Sequence, residues 1–262
     1  MPLPQPPAPP LVLSLGEALV DRLEPPDGDR LGGAPANVAC ALARLGTPSA
    51  FLGRLGRDAI GQAFAAVFAE RGVDTSALQW DAQRPSRVVL VQRDASGDRQ
   101  FGGFAGAGGA GAGGAGASRV GASSGGGMCF ADQALDSAEL SAALGPLLAA
   151  AHWLLVGTIP LASPAAASAL QLACREAAAA GVALALDVNW RPTFWDPAAD
   201  PASGPNPAQI AAMAPLLQQA DLIKCAAEEA RWLFGSDNPA VVRAAALCQC
   251  LRRPGVPRGR RH

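Results

Sequence analysis

The chain has 262 residues, of which 50% are hydrophobic and 16% are charged, and its formal net charge is −1. This length and apolar content are sufficient for a sizeable buried core. A charge so close to neutral gives no reason to expect a nucleic-acid partner or an acidic membrane surface. No apolar run is long enough to span a bilayer, so we expect no membrane partner.

The cysteines and the N-terminus indicate the compartment. The six cysteines show neither the paired spacing of a metal site nor the pattern of a secreted disulfide framework. Residues 1–10 are rich in proline and lack the charged segment and apolar core of a signal peptide, so we interpret them as a disordered lead. A reducing, cytoplasmic location is therefore predicted.

Apolar runs and helical periodicity alternate along the chain. Strands are predicted near residues 11–16, 49–53, 86–92, 152–157, 182–188 and 221–224. Helices are predicted near residues 36–45, 61–71, 138–150, 164–180, 207–219 and 228–234. This alternation indicates an α/β fold in which helices cover both faces of a parallel sheet.

The opening strand leads through a glycine to an acidic residue. The apolar run that begins at Leu11 passes Gly16 and reaches Asp21, which we interpret as the residue that closes the strand. A glycine-rich turn over residues 53–61 opens a later helix, and Asp58 is expected to cap that helix.

A pair of glycines stands directly before a helix. Gly32 and Gly33 allow the backbone to approach a ligand, and the helix start adds unpaired N–H groups. Asn37 lies in the first turn, where its amide is free to bind a polar ligand. The apolar spacing predicts that one face of the helix is buried through Val38, Ala41, Leu42 and Leu45.

The middle of the chain is predicted to form a small β lid near residues 86–104. A strand over 86–92 is followed by polar turn residues and by Arg99-Gln100-Phe101, which is typical of a hairpin. Residues 105–127 are almost purely glycine, alanine and serine, so flexible coil is expected. That tract matches G-x-G-x-x-G, but neither a strand directly before it nor a helix directly after it supports a dinucleotide site.

Two further motifs follow predicted strands. Asp187-Val188-Asn189-Trp190-Arg191 comes after a buried apolar run, at the strand end where open α/β sheets bind ligands. Asp221-Leu222-Ile223-Lys224 leads into a helix start that contains Glu229, and Lys224 is the only lysine of the chain.

In their order along the chain, these five motifs resemble the signatures of the ribokinase-like (PfkB) sugar kinases over about residues 11–240. The resemblance is strongest to the fructokinases. The resemblance implies an α/β ribokinase-like domain over residues 11–246, with a central mostly parallel sheet flanked by helices and a small β lid. It also implies ATP-dependent phosphorylation of a sugar's primary hydroxyl. Fructose is the preferred sugar substrate, and ketodeoxygluconate and ribose are the alternatives.

The resemblance further implies roles for individual residues. Sugar-binding residues would be Asp21, Gly32, Gly33, Asn37, Arg99, Phe101 and Asn189. Arg191 would support the transfer between sugar and phosphate, while Lys224 and Glu229 would bind ATP, with Glu229 acting on Mg²⁺ indirectly. Ala226 replaces a polar residue of the family pattern, three positions before Glu229. The alternative for each polar residue is a solvated or ion-paired surface group.

The end of the chain departs from the family pattern. The family continues with another βα stretch and a Gly-Ala-Gly-Asp motif that supplies an anion hole and the catalytic Asp, and nothing after about residue 246 matches it. We expect residues 247–262 to be an aberrant basic tail on a C-terminally truncated domain, the alternative being a natural basic tail.

Two hypotheses therefore stand. The chain is a damaged sugar kinase without appreciable activity, whose intact relatives commonly form homodimers through the lid. Otherwise it is a catalytically dead sugar-binding or regulatory protein.

Overall fold

The computed structural model describes residues 11–23, 28–93, 99–105 and 130–251. The predicted N-terminal lead, the hairpin turn, residues 106–127 of the low-complexity tract and residues 252–262 lie outside the described residues.

The described elements follow the predicted alternation. The strands are β1 (Leu11–Leu15), β2 (Leu19–Leu23), β3 (Asp29–Gly32), β4 (Ser49–Leu52), β5 (Arg54–Gly56), β6 (Gln79–Asp81), β7 (Arg87–Arg93), β8 (Arg99–Phe104), β9 (Ala151–Gly157), β10 (Ala183–Asp187) and β11 (Leu222–Lys224). The helices are α1 (Ala34–Arg44), α2 (Ala59–Arg71), α3 (Ser137–Ala150), α4 (Pro164–Ala179), α5 (Pro192–Trp195), α6 (Pro207–Gln219), α7 (Ala227–Phe234) and α8 (Pro239–Leu251). Two short 3-10 turns cover Ala131–Ala134 and Ile159–Ala162.

The central sheet has five parallel strands in the order β11-β10-β9-β1-β4. The inner strands are mostly apolar because both of their faces are covered, as parallel sheets require, whereas Leu222 of the edge strand β11 is 55% exposed. After β1, the next strand of this sheet is β4, which lies on one side of β1. The chain later returns to the other side of β1 as β9. The carboxyl ends of β1 and β9 therefore form the topological switch point at which such sheets bind ligands.

Helices cover both faces of this sheet, which confirms the predicted α/β fold. On one face, Leu13, Leu154 and Leu186 lie in a large core with side chains of α3, α4 and α6. On the other face, Phe51 of β4 contacts Phe68 of α2, with 4.9 Å between ring centroids. These two cores fix the sheet between two helical layers.

The second sheet has the order β3-β2-β7-β8, with β2 parallel to β7 and the other pairs antiparallel. It contains the predicted lid strands and two strands that the sequence did not predict. Asp21 was predicted to close the first strand, and this was wrong: the backbone turns at Gly16, which has φ +154°, and Asp21 lies on β2 of the second sheet. The lid thus begins before α1.

Helix α1 buries a different stripe from the one that its apolar spacing predicted. Leu45 is 80% exposed and Ala41 is exposed. The buried residues are Pro35, Ala36, Ala39 and Cys40. Small side chains on this face allow α1 to lie close against β1 and β4, so size rather than hydropathy decides the orientation. Asn37 is exposed, as its position in the first turn suggested.

Helix α8 continues through Leu251, so the backbone remains helical five residues past the predicted domain end at 246. The domain end at residue 246 stays a prediction. Within the described residues, no helix combines the length and apolarity that crossing a bilayer would require.

Candidate functional site

Four of the predicted sugar-binding residues meet where β3 enters α1. Gly32 ends β3, Gly33 precedes the first residue of α1, and Asn37 lies in the first helical turn. A Cβ at Gly32 would stand 3.1 Å from Oδ2 of Asp21, so the Asp21 carboxylate lies against this glycine. The structure therefore places the Asp21 carboxylate against Gly32, two residues before the first residue of α1, and Asn37 in the first turn of that helix.

The two lid residues of the predicted site stand on β8. Arg99 pairs with Arg93 of β7, and Phe101 pairs with Val91, across an antiparallel ladder. A register shift between Leu90 and Val91 separates this part of the hairpin from the rest. The structure describes the backbone of Arg99 and Phe101 but not their side chains, so their contact with a sugar stays a prediction.

The Asp187–Arg191 motif forms a turn at the carboxyl end of β10. Asn189 adopts φ +40°, a left-handed conformation that is uncommon outside glycine. The Arg191 guanidinium donates from one N–H to the carbonyl of Trp190 at 2.9 Å, and the residue is exposed. The turn therefore presents an amide and a cation at the same edge of the sheet as the end of β1.

The predicted phosphate-binding residues lie beside this turn, because β11 pairs with β10. The Lys224 ammonium donates to Oδ1 of Asp187 at 2.9 Å, and its side chain is 68% exposed. The ion pair is therefore accessible to solvent, and its cation remains available to an anionic ligand.

Glu229 is buried between this turn and α7. Its Oε1 accepts the main-chain N–H of Trp190 at 2.6 Å, and its Oε2 accepts that of Ala226, also at 2.6 Å. Ala226 has no side-chain acceptor, so α7 begins without a side-chain cap. Both carboxylate oxygens thus already have main-chain partners, and the Mg²⁺ role of Glu229 stays a prediction.

Sequence reasoning missed a cavity at the topological switch point. Its lining comes from the residues after β1, from the residues after β9, and from β5, β7 and the start of α4. The lining residues are Gly16, Glu17, Arg54, Arg87, Asp132, Gln133, Leu135, Ile159, Pro160, Ala162, Ser163, Ala166 and Phe194. Among the predicted sugar-binding residues whose side chains the structure describes, none lines this cavity.

Glu17 is one of two acids that line the cavity, and Asp132 is the other. Glu17 is 3% exposed, and its Oε1 accepts the N–H of Ala34, the first residue of α1, at 3.2 Å. Within the part of the chain that the structure describes, its Oε2 has no hydrogen-bond partner. Burial raises the pKa of Glu17 to about 7, although hydrogen bonds from the main-chain N–H groups of Glu17 and Ala34 offset part of this rise. The sequence signal was a charged residue inside an apolar run.

Arg87 and Asp132, two further lining residues, form a buried ion pair with Nε and Oδ2 2.9 Å apart. The Arg87 guanidinium also lies over the rings of Phe104, Phe130 and Phe194, 5.1, 4.8 and 4.7 Å from their centroids. Such stacking suits the planar, weakly hydrated guanidinium. The pair joins β7 of the lid to the 3-10 turn beside the main sheet.

Comparisons with known proteins agree with this architecture. The profile described as pfkB family carbohydrate kinase matches residues 17–112. Fructokinase-1 of Oryza sativa subsp. japonica is 31% identical over 241 residues, which is 87% of this chain and 64% of the rice protein. The fructokinase of Klebsiella pneumoniae is 33% identical over 229 residues, covering 86% of this chain and 62% of that protein. The chain thus spans a little less than two thirds of the length of these relatives.

Solved structures show the same similarity. The fructokinase of Xylella fastidiosa superposes with a TM-score of 0.69 at 28% identity, over 90% of this chain and 68% of that one. A structure of the X. fastidiosa fructokinase with bound ATP gives a TM-score of 0.68 at 27% identity, with the same coverage. The sheet order, the lid and these similarities confirm the ribokinase-like fold, and residues 17–112 match the pfkB family of carbohydrate kinases, with fructokinases among the relatives of the chain.

Proposed function

We propose that this chain binds a sugar and ATP for phosphoryl transfer to the sugar's primary hydroxyl, with fructose as the favoured sugar. The observation that carries the proposal is the juxtaposition of Asp21, Gly32, Gly33 and Asn37 at the start of α1. The relatives are named fructokinases, which supports fructose as the sugar substrate. The X. fastidiosa fructokinase structure contains bound ATP, which supports ATP as the phosphoryl donor.

The chemistry of these four residues suits a polyol. The carboxylate of Asp21 accepts hydrogen bonds from hydroxyl groups, and the amide of Asn37 both donates and accepts. Hydrogen bonds to a charged group contribute roughly 1.5–3 kcal/mol each. Without a side chain at Gly32, a sugar hydroxyl is able to approach the backbone beside the Asp21 carboxylate.

The polar residues at the carboxyl ends of β10 and β11 suit the binding of phosphate. Bound ATP with Mg²⁺ supplies the phosphoryl group and neutralises its charge. Asn189 would contact the sugar, Arg191 would lie between sugar and phosphate, and the exposed ammonium of Lys224 would face the phosphates. The described residues hold no group of three or more His, Cys, Asp or Glu that could bind a metal. Glu229 would therefore act on Mg²⁺ through water, since this ion keeps several of its waters.

The group that takes the proton from the attacking hydroxyl is unassigned. The 262 residues contain no Gly-Ala-Gly-Asp motif. We propose that these 262 residues bind a sugar without the turnover ordinary for a kinase, and the second candidate is a catalytically inactive sugar-binding or regulatory protein. A cytoplasmic location belongs to the same proposal, and a homodimer is expected only of the intact family member.

Calorimetry and mass spectrometry on the purified chain separate these functions. Fructose, ketodeoxygluconate and ribose are titrated singly, and each is then incubated with ATP and Mg²⁺ while sugar phosphate is measured. Binding with turnover supports the kinase, and binding without turnover supports the inactive binding protein. A folded chain that binds none of the three sugars would overturn both.

A further inference from the structure

We propose that Glu229 is a positioning residue, which fixes the turn of Asn189 and Arg191 in the shape that receives the sugar. This inference rests on the proposed function. Its basis is one buried carboxylate that joins two elements: Glu229 accepts the N–H of Trp190, after β10, and the N–H of Ala226, before α7.

The turn needs such support because of its backbone. Asn189 has φ +40°, and non-glycine residues keep that conformation only where their surroundings hold it. Its own side chain is partly exposed at the carboxyl edge of the sheet. The constraint must therefore come from the residues on either side of it.

Both neighbours of Asn189 are tied down. On the N-terminal side, the carbonyl of Val188 accepts the Thr158 hydroxyl at 2.5 Å, and the Val188 N–H donates to the carbonyl of Lys224 at 3.0 Å. On the C-terminal side, the Trp190 indole N–H donates to the carbonyl of Ser203 at 2.8 Å. The main-chain N–H of Trp190 is held by Glu229.

The bond to Glu229 differs from the others because its acceptor is a buried carboxylate. Glu229 is 6% exposed, and hydrogen bonds to a charged acceptor are short and about twice as strong as neutral ones. Trp190 is 4% exposed, so its N–H has little access to water if the carboxylate is removed. Ala226 is exposed, so its N–H is able to donate to solvent instead. Loss of Glu229 therefore affects the turn more than the helix start.

The difference between the buried Trp190 N–H and the exposed Ala226 N–H allows two roles of Glu229 to be tested separately. One role is to hold the turn, and the other is to support the start of α7. Glu229→Ala removes both acceptors. The double variant Ala226→Ser/Glu229→Ala returns a cap to α7, because a serine at that position accepts the N–H of residue 229, but it returns no acceptor to Trp190. Glu228→Ala is the matched control, an exposed glutamate truncated on the same turn.

Two readouts are measured on the full chain. Hydrogen exchange of the Trp190 amide reports the clamp, with Leu154 of β9 as the internal reference. Fructose affinity in EDTA, without ATP, reports the site and removes any contribution of Mg²⁺. We expect at least tenfold faster exchange at Trp190 and at least tenfold weaker fructose binding in Glu229→Ala. The double variant should regain melting temperature but neither of these properties, and Glu228→Ala should match the wild type.

Wild-type exchange at Trp190 in Glu229→Ala would overturn the inference, as would recovery of both readouts in the double variant. Unchanged fructose affinity in Glu229→Ala, with faster exchange, would also contradict it. If the wild type binds no sugar, the proposed function fails, and the exchange measurement alone then decides whether Glu229 holds the turn.

Discussion

Gly33 lies directly against the backbone of Glu17: a Cβ at Gly33 would stand 2.4 Å from the carbonyl oxygen of Glu17 and 3.1 Å from Cα of Ala18. Gly33 also has φ +97°, a conformation that L side chains rarely adopt. The segment after β1 and the start of α1 therefore meet at a distance that only glycine permits. This contact sets the position of the helix N-terminus beside Asp21.

Gly33→Ala should destabilise the chain severely. The forced φ and the backbone overlap together should lower the free energy of unfolding by about 2–4 kcal/mol. Gly46→Ala is the matched control, because Gly46 has φ +80° but nothing within 4 Å of a Cβ, so only the backbone term of about 1 kcal/mol applies. Urea denaturation measures both, and equal losses would contradict the role of the Glu17 contact.

Glu17 should make stability depend on pH. Burial raises its pKa from 4.5 in the unfolded chain to about 7 in the folded one. The folded chain therefore binds more protons between these values, and the free energy of unfolding falls as pH rises through them, by about 3 kcal/mol in total. Its contribution is fully present below pH 4.5 and is lost above pH 7.

Glu17→Gln should remove this dependence, because glutamine does not titrate. The variant is expected to gain stability relative to the wild type at pH 8 but not at pH 4. Glu70→Gln, on the exposed side of α2, is the control for loss of a charge. Denaturant midpoints across this pH range provide the test, and parallel curves for the wild type and Glu17→Gln would refute the assignment.

Ala226→Ser should stabilise the chain. The residue precedes α7 with an extended backbone, φ −73° and ψ 165°, and lacks a side-chain acceptor. A serine there would accept the N–H of Glu229 and complete a capping box, worth about 1 kcal/mol. Ala227→Ser, one residue into the helix, should give no such gain. A thermal melt compares the two, and an Ala226→Ser variant no more stable than the wild type would show that α7 needs no cap.

The central strands could be predicted because they are continuous apolar runs that end at a polar motif, as β10 does before Asn189. Strands β2 and β3 could not, since they are short and carry charged residues toward solvent, and Asp21 was consequently assigned to the wrong strand. In α1, the buried stripe follows side-chain size, which hydropathy does not report. The partners of Glu229 and Glu17 depend on which backbone N–H groups the fold brings near them. A single sequence does not contain that information.

In the proposed function, Asp21 belongs to a sugar site at the start of α1. Calorimetric titration of fructose into the wild type, Asp21→Asn and Asp29→Asn tests this most directly. Asp29 is the matched control, because it lies on the neighbouring strand and pairs with Arg22 at 2.7 Å at the surface. We expect saturable binding to the wild type, at least about tenfold weaker binding to Asp21→Asn, and unchanged binding to Asp29→Asn. Equal affinity in all three folded proteins would contradict the claim.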